Sequence, residues 1–293
     1  MRRPPALLIN TADIELWPGG LLRARSNADA RALAQARWVL RRKRDGRYLA
    51  VATAHGVLPL VPRLMREDGI EAALDALDLQ ALAPARRAVA DSTLLALSGL
   101  QRRLAQLDID ADGYEAATGL TLEAEPAQLH LAGFDRYRRP LWLRRSAARG
   151  WQRLQLAAAA EGIALDAISG YRSHDYQLGI FARKLARGQT VEQILTVNAA
   201  PGYSEHHGGR ALDIGTPDEP PAEESFEHTT AFAWLTRHAG DFGFLDVVAF
   251  RDGRFGEDLA LVVSIGDCIA LEGDLGAGKS TTARALLRAL ADD

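Results

Sequence analysis

The amino-acid sequence predicts an α+β fold, and three patterns along the chain support this prediction. Two short apolar runs, residues 38–40 and 48–52, flank a charged segment that contains Asp45-Gly46, which is typical of a β-hairpin with its turn at the Asp-Gly pair. Residues 71–107 carry leucines that mostly recur three and four positions apart, the spacing of one helix face. Beyond residue 126, candidate helices alternate with short candidate strands.

The composition favours a folded globular protein. The chain has 293 residues, enough for one large domain or two of ordinary size. Hydrophobic residues make up 47% and charged residues 25%, which argues against a disordered chain. The formal net charge of -3 gives no support for bulk electrostatic binding to nucleic acid, so no nucleic-acid partner is expected. The single cysteine, Cys268, excludes an intrachain disulfide and a cysteine-based zinc cluster.

The sequence shows no membrane span and no export signal. No apolar run approaches the roughly 18 residues that a spanning helix needs. The N-terminus is basic, but the apolar stretch at residues 6–9 is shorter than the roughly 7–15 residues of a signal-peptide core. We therefore expect a cytoplasmic protein from the sequence as written, and a periplasmic location remains open if the true start lies upstream.

The chain divides into three predicted regions, which are an N-terminal α+β region with helices at residues 1–125, a core at residues 126–250 and a C-terminal fragment at residues 251–293. In the first region, a short helix over residues 31–37 precedes the hairpin, and Pro84 separates two helices within the leucine run. We expect these leucines to form a packing face rather than a partner-binding groove.

The core region carries a regular succession of helix and strand patterns. A helix over residues 141–161 is indicated by five apolar positions on one face and by Gly162 at its end. These positions are Leu143, Ala147, Trp151, Leu154 and Ala158. The later predicted elements are a strand over 164–169, a helix over 176–187, a strand over 211–214 and a helix over 229–238.

A histidine and an aspartate in this region form a candidate metal site. His206 and Asp213 lie seven positions apart, and two glycines between them allow the backbone to fold tightly so that both side chains converge. Imidazole nitrogen and carboxylate oxygen both suit zinc. Catalytic zinc uses three protein ligands and one open position, so this segment supplies two of the three.

The surrounding residues form a longer motif that resembles a known family. The pattern Ser-x-His-x-x-Gly-x-Ala-x-Asp is followed at Ser204, His206, Gly209, Ala211 and Asp213. Upstream, Ser169-Gly170-Tyr171-Arg172-Ser173 is followed by Gln177. In this order, residues 126–244 resemble the VanY-type zinc D-alanyl-D-alanine carboxypeptidases, and the resemblance implies their hedgehog/DD-peptidase-like fold.

The resemblance also implies an activity and a set of site residues. The activity is removal of a terminal D-alanine from a peptidoglycan stem peptide ending in D-Ala-D-Ala. His206 and Asp213 would be zinc ligands, and the motif register favours His206 over the adjacent His207. Arg172 would stabilise an oxyanion or bind substrate, with a loop-anchoring salt bridge as the alternative. Ser204 and Gln177 would position the peptide. His174 occupies a variable position of the motif and is expected at the surface.

One part of the family pattern is missing. In VanY-type enzymes the third zinc ligand and the general base lie in a Glu-x-Trp-His segment after Phe-Gly-Phe. Here Phe242-Gly243-Phe244 is present, but no histidine follows His238. We expect an impaired hydrolase, because a two-ligand site binds zinc weakly and lacks a base. Substitution by His228 or His238 stays open, as does a non-catalytic module that binds peptidoglycan peptides.

The C-terminal fragment carries a phosphate-loop pattern, Gly-x4-Gly-Lys-Ser/Thr, between a candidate strand and a candidate helix. The expected nucleotide-binding residues are Gly273, Gly276, Gly278, Lys279, Ser280 and Thr281. Such a loop wraps phosphates with backbone N–H groups, and its lysine and serine contact phosphate and Mg²⁺. Residues 256–279 resemble the ATPase of bacterial tRNA threonylcarbamoyladenosine synthesis, which makes a protein that binds ATP with Mg²⁺ the alternative function. The resemblance covers only part of such an ATPase, so the alternative that this loop binds no nucleotide stays open.

Overall fold

A computed structural model describes residues 7–82, 93–97, 99–217, 219–220, 224–248 and 260–264. The structure is a mixture of helices and two antiparallel sheets, as the predicted α+β class requires. Within the described ranges, no helix has the length and apolar character that crossing a membrane demands.

The larger sheet has seven strands. They are β1 (Leu7–Asn10), β2 (Ile14–Pro18), β3 (Trp38–Arg42), β4 (Tyr48–Thr53), β5 (Gly56–Pro59), β6 (Gln128–Phe134) and β7 (Pro140–Leu143), in the order β5-β4-β3-β2-β1-β6-β7. The predicted hairpin is confirmed, because β3 and β4 pair antiparallel on either side of Gly46, whose φ is 69°. Glycine adopts this left-handed conformation without strain.

This sheet joins the predicted N-terminal region to the predicted core. Strand β1 pairs with β2 on one side and with β6 on the other, where Leu8 lies opposite Leu129. Strands from before and after residue 126 therefore share one hydrogen-bonded sheet. The first region is built into the same structure as the candidate site.

Eight helices lie within the described residues. They are α1 (Asn27–Leu33), α2 (Ile70–Leu82), α3 (Leu100–Ala105), α4 (Ala111–Thr118), α5 (Arg145–Ala160), α6 (His174–Leu185), α7 (Val191–Leu195) and α8 (Thr230–His238). Side-chain caps begin several of them. Ser173 accepts a hydrogen bond from the backbone N–H of Tyr176 at the start of α6, and Thr229 accepts one from Phe232 at the start of α8.

Three predicted helices differ from the structure. Residues 141–143 lie in β7 instead, because this segment pairs with β6, and the helix begins at Arg145. Residues 94–97 are not helical; Leu94 forms a bridge to Pro126, and the N–H of Leu95 donates to the carbonyl of Glu125. The helix expected over residues 31–37 lies earlier, at α1, where Ser26 caps it.

The smaller sheet contains β8 (Asp166–Ser169), β9 (Ala211–Gly215), β10 (Phe244–Val248) and β11 (Ala260–Ser264), in the order β10-β11-β9-β8. Its β9 alternates, so Leu212 and Ile214 enter the main hydrophobic core while Asp213 faces the other way. The predicted face of α5 is confirmed in the same core, where Trp151 packs with Trp234 of α8, each only 1% exposed.

The predicted phosphate loop lies outside the described residues. Gly273, Gly276, Gly278, Lys279, Ser280 and Thr281 all fall in this part of the chain. The nucleotide site and its strand–loop–helix context therefore remain predictions from the sequence.

Candidate functional site

The candidate site forms where three segments meet. These are the loop between β8 and α6, the 3₁₀ turn Glu205–Gly208, and β9. The turn ends at Gly209, which has a φ of 69° and lies so close to Leu129 that an added Cβ would approach that side chain to 2.6 Å. The glycine that the motif supplies is therefore required for both backbone conformation and space.

His206 and Asp213 converge as predicted. Their side chains are almost fully buried, and Nε2 of His206 lies 3.2 Å from Oδ1 of Asp213. Two ligands about 2.0–2.1 Å from one tetrahedral zinc ion lie about 3.3 Å from each other. The observed separation therefore fits a shared zinc ion.

The orientation of the His206 ring also fits a metal ligand. Nδ1 lies 2.8 Å from the carbonyl oxygen of Gly170, which can only accept, so Nδ1 carries the proton. In the neutral ring, Nε2 then presents a lone pair to a carboxylate oxygen. Two acceptors in contact need a cation or a proton between them. A backbone carbonyl that fixes the tautomer of a histidine is typical of metal sites.

Asp213 is held from its other side by Arg172. Nη2 of Arg172 donates to Oδ2 of Asp213 at 2.8 Å, and Nε donates to Oγ of Ser169 at 2.8 Å. Burial opposes ionisation of Asp213, but its contact with His206 and the charge of Arg172 outweigh this effect and hold the pKa of Asp213 below its ordinary value. The carboxylate is therefore ionised at neutral pH, as a metal ligand must be.

His207 has no nitrogen available for a metal. Its Nδ1 donates to the carbonyl of Arg172 at 2.7 Å, and its Nε2 accepts from the N–H of Gly202 at 3.1 Å. The side chain is completely buried, and burial lowers the pKa of His207 well below its ordinary value. The neutral ring joins two loops, which supports His206 as the ligand.

Ser204 and Gln177, the other predicted site residues, occupy different positions relative to His206 and Asp213. Ser204 directly precedes the 3₁₀ turn, and its carbonyl accepts from the N–H of His207. Gln177 is 1% exposed, and its Nε2 donates to the carbonyl of Ala199 at 2.8 Å. Gln177 therefore lies beneath the loop that leads to Ser204, whereas Arg172, His206 and Asp213 are in direct contact.

A third metal ligand is not supplied by the part of the chain that the structure describes. No group of three or more His, Cys, Asp or Glu side chains there is arranged to hold a metal ion. Oε1 of Glu205 lies 3.7 Å from Nε2 of His206, and His238 stacks on Trp234 instead. The strand beside β9 is β11, whose sequence Ala-Leu-Val-Val-Ser contains none of these residue types.

The residues that surround His174 were missed by sequence reasoning. His174 is 5% exposed, so its expected surface position is wrong. Its backbone N–H donates to Oε1 of Glu125 at 2.9 Å, and its ring Nε2 donates to the carbonyl of Glu123 at 2.8 Å. Glu125 ends the predicted first region, and no sequence pattern around it could reveal these contacts.

Comparison with known proteins bears on the segment that contains the site. Residues 140–254 match the family model of VanY, D-alanyl-D-alanine carboxypeptidase. Arg172, Ser204, His206 and Asp213 all lie in this span, and the match confirms the predicted VanY resemblance there. The resemblance of residues 256–279 to an ATPase receives no support from this match, which ends before the phosphate loop.

Among curated proteins, the chain is 34% identical over 106 residues to "Putative carboxypeptidase YodJ" of Bacillus subtilis (strain 168). The alignment covers 36% of this chain and 38% of that protein, so the chain spans well under half of its relative's length.

Two solved structures are also similar. One is the LdcB LD-carboxypeptidase, at 24% identity over 50% of this chain and 64% of that one, with a TM-score of 0.39. The other is a VanY D,D-pentapeptidase from a VanB-type resistance cassette in complex with Zn(II), at 26% identity over 43% and 75%, with a TM-score of 0.34. The match to the family model shows that residues 140–254 are similar to the VanY family of D-alanyl-D-alanine carboxypeptidases.

Proposed function

We propose that this protein is a VanY-like zinc carboxypeptidase that acts on a peptidoglycan stem peptide ending in D-Ala-D-Ala. The observation that carries the proposal is the buried pair of His206 and Asp213 at 3.2 Å, inside the segment that matches the family. The pair is oriented from two sides, by the carbonyl of Gly170 and by the guanidinium of Arg172.

Each residue of the pair has a defined role in this proposal. His206 would hold zinc through Nε2 and Asp213 through Oδ1, and the ion would supply a Lewis acid that polarises the scissile carbonyl. Arg172 places a fixed positive charge beside them and is partly open to solvent. It would bind the terminal carboxylate of the peptide or the developing oxyanion.

Ser204 and Gln177 would act on the peptide in different ways. Ser204 directly precedes the turn that carries His206, so we assign it a contact with the peptide. Gln177 is buried and holds the carbonyl of Ala199, so it would position the peptide indirectly, through the loop before Ser204.

We expect weak hydrolysis. Within the described residues, no third His, Cys, Asp or Glu side chain is arranged with His206 and Asp213 to hold a metal ion, and the Glu-x-Trp-His pattern does not follow Phe244 in the sequence. Two ligands bind zinc less tightly than three, and attack on the carbonyl is slower without a base. The same observation favours a second candidate function, a module that binds peptidoglycan peptides without cleaving them.

The test measures release of D-alanine from a peptide ending in D-Ala-D-Ala, with and without added zinc. A peptide ending in L-Ala serves as the substrate control. His206→Ala is compared with His55→Ala, which alters a histidine in an exposed turn. Zinc-dependent release that is lost only in His206→Ala supports the hydrolase. Binding of the peptide without release at any zinc concentration supports the binding module, and neither binding nor release overturns both.

A further inference from the structure

A buried carboxylate connects the N-terminal sheet to the loop that carries Arg172. Glu125 is 4% exposed, and its Oε2 accepts from Nζ of Lys43 at 2.5 Å and from the hydroxyl of Tyr171 at 2.5 Å. Nδ2 of Asn10 donates to the same oxygen at 3.1 Å. Oε1 accepts from the backbone N–H of His174 at 2.9 Å.

These contacts fix both ends of one short segment. Tyr171 and His174 lie immediately before and after Arg172-Ser173. Lys43 directly follows β3, and Asn10 ends β1, so the partners on the other side of Glu125 belong to the seven-stranded sheet. One carboxylate therefore anchors the Arg172 segment to a sheet that is not itself part of the candidate site.

The anchored segment determines how the site histidines are oriented. The carbonyl of Gly170 receives the Nδ1 proton of His206, and the carbonyl of Arg172 receives that of His207. The N–H of Arg172 donates to the carbonyl of His206. A shift of the segment would therefore move the guanidinium and both imidazole rings together.

Stability alone is a poor explanation for this arrangement. Buried ion pairs contribute little net stability, since the cost of desolvation offsets the attraction, and apolar residues of similar size often serve as well. Both carboxylate oxygens of Glu125 accept hydrogen bonds from the donors around them, and such a polar cluster specifies one arrangement of the groups that it connects. Lys43 has a completely buried side chain, and two of the four donors around Glu125, the hydroxyl of Tyr171 and the N–H of His174, flank the Arg172-Ser173 segment.

We propose that Glu125, held by Lys43, is a positioning residue for the candidate site, through which the N-terminal sheet sets the orientation of Arg172 and His206. This inference rests on the proposed function for its catalytic consequence. Its structural consequence, the fixed orientation of the His206 ring, is independent of any activity.

Two variants and one control distinguish a role of Glu125 in positioning the site from a role in the stability of the fold. Glu125→Gln keeps the shape of the side chain but removes the charge that attracts Lys43 and Tyr171. The matched control is Glu15→Gln, which alters a glutamate of β2 that is also 4% exposed and whose carboxylate contacts Arg41 and Trp17. A Lys43→Met/Glu125→Leu double variant replaces the buried pair by apolar side chains and preserves packing, but it cannot hold Tyr171 or the N–H of His174.

The measurements are the ring ¹H–¹⁵N NMR signals of His206 and His207, the zinc dissociation constant, and kcat and KM for D-Ala release. We expect Glu125→Gln and the double variant to shift or lose the Nδ1 proton signals. We also expect zinc to bind about tenfold more weakly and kcat to fall more than KM changes. Glu15→Gln should leave all three measurements unchanged.

Two results distinguish the possible failures. If the wild-type protein neither binds zinc nor releases D-Ala, the proposed function fails, but a change of the histidine signals in the Glu125 variants still supports the positioning role. If the folded double variant keeps the wild-type histidine signals, zinc affinity and kcat, the positioning role is overturned, whatever the wild-type activity.

Discussion

At the scale of single residues, two adjacent histidines have different roles because their ring nitrogens have different partners. Nδ1 of His206 donates to the carbonyl of Gly170, and Nε2 faces Asp213. His207 uses both nitrogens in hydrogen bonds to backbone groups. The first arrangement suits a metal ligand, and the second suits a structural group that ties two loops together.

His207→Ala should destabilise the fold directly. The change leaves the N–H of Gly202 and the carbonyl of Arg172 without a partner in a buried position and opens a cavity. We expect the free energy of unfolding to fall by about 2–4 kcal/mol, with or without zinc. Urea unfolding in the presence and in the absence of zinc measures this change. A variant with wild-type stability in metal-free buffer would contradict the structural role.

The candidate ligands could be predicted from the sequence, whereas the buried pair of Lys43 and Glu125 that anchors the neighbouring loop could not. His206 and Asp213 are close in sequence and lie in a local motif, so the turn that joins them could be predicted. Lys43 and Glu125 are 82 positions apart and meet only because the end of β3 and the start of β6 lie at the same end of the sheet, with β2 and β1 between them. No local pattern marks such a contact.

At the scale of elements, an apolar segment whose periodicity suits a helix becomes a strand when it pairs with a neighbouring strand. Leu141, Trp142 and Leu143 continue the apolar pattern of α5 and were therefore predicted to be helical. Their antiparallel pairing with β6 makes them a strand, and all three side chains are buried. Elements with caps or clear turns, such as β3–β4 and α8, were predicted to within a few residues.

Gly209→Ala tests how strictly the turn before β9 is specified. The residue has a positive φ, and an added Cβ would meet Leu129 at 2.6 Å. We expect a loss of at least about 1 kcal/mol in the free energy of unfolding, measured by thermal or urea unfolding. Gly208→Ala is the matched control, because its Cβ would meet only the flexible end of Glu123. Wild-type stability of Gly209→Ala would show that the turn tolerates a side chain at this position.

At the scale of the whole molecule, one sheet links the N-terminal region to the segment that matches the carboxypeptidase family. Strand β1 lies between β2 and β6, so the two regions share hydrogen bonds as well as the buried cluster at Glu125. The sequence suggested separate regions because their composition and motifs differ. The hydrogen bonds between distant strands carry no such signal in a single sequence.

The buried cluster also predicts how the whole fold responds to acid. Burial opposes ionisation of Glu125, but Lys43, His174 and the hydroxyl of Tyr171 outweigh it and hold its pKa well below the ordinary 4.5. The contribution of Glu125 to stability is therefore fully present above pH 4.5 and is lost as the pH falls toward the lowered pKa.

Glu125→Gln should consequently show a shallower loss of the free energy of unfolding between about pH 4.5 and pH 2.5 than the wild-type protein. Urea unfolding across this range measures both slopes, and Glu15→Gln controls for a change of charge alone. Identical acid slopes for Glu125→Gln and the wild-type protein would show that the carboxylate is not held ionised by its partners.

Zinc stoichiometry shows whether His206 and Asp213 form a metal centre. We would measure bound zinc in the wild-type protein and in His206→Ala, Asp213→Asn and His55→Ala after dialysis against micromolar zinc. We expect zinc to bind to the wild-type protein and to His55→Ala, and binding to be lost in both site variants. Equal zinc content in all four proteins, or none in the wild-type protein, would contradict it.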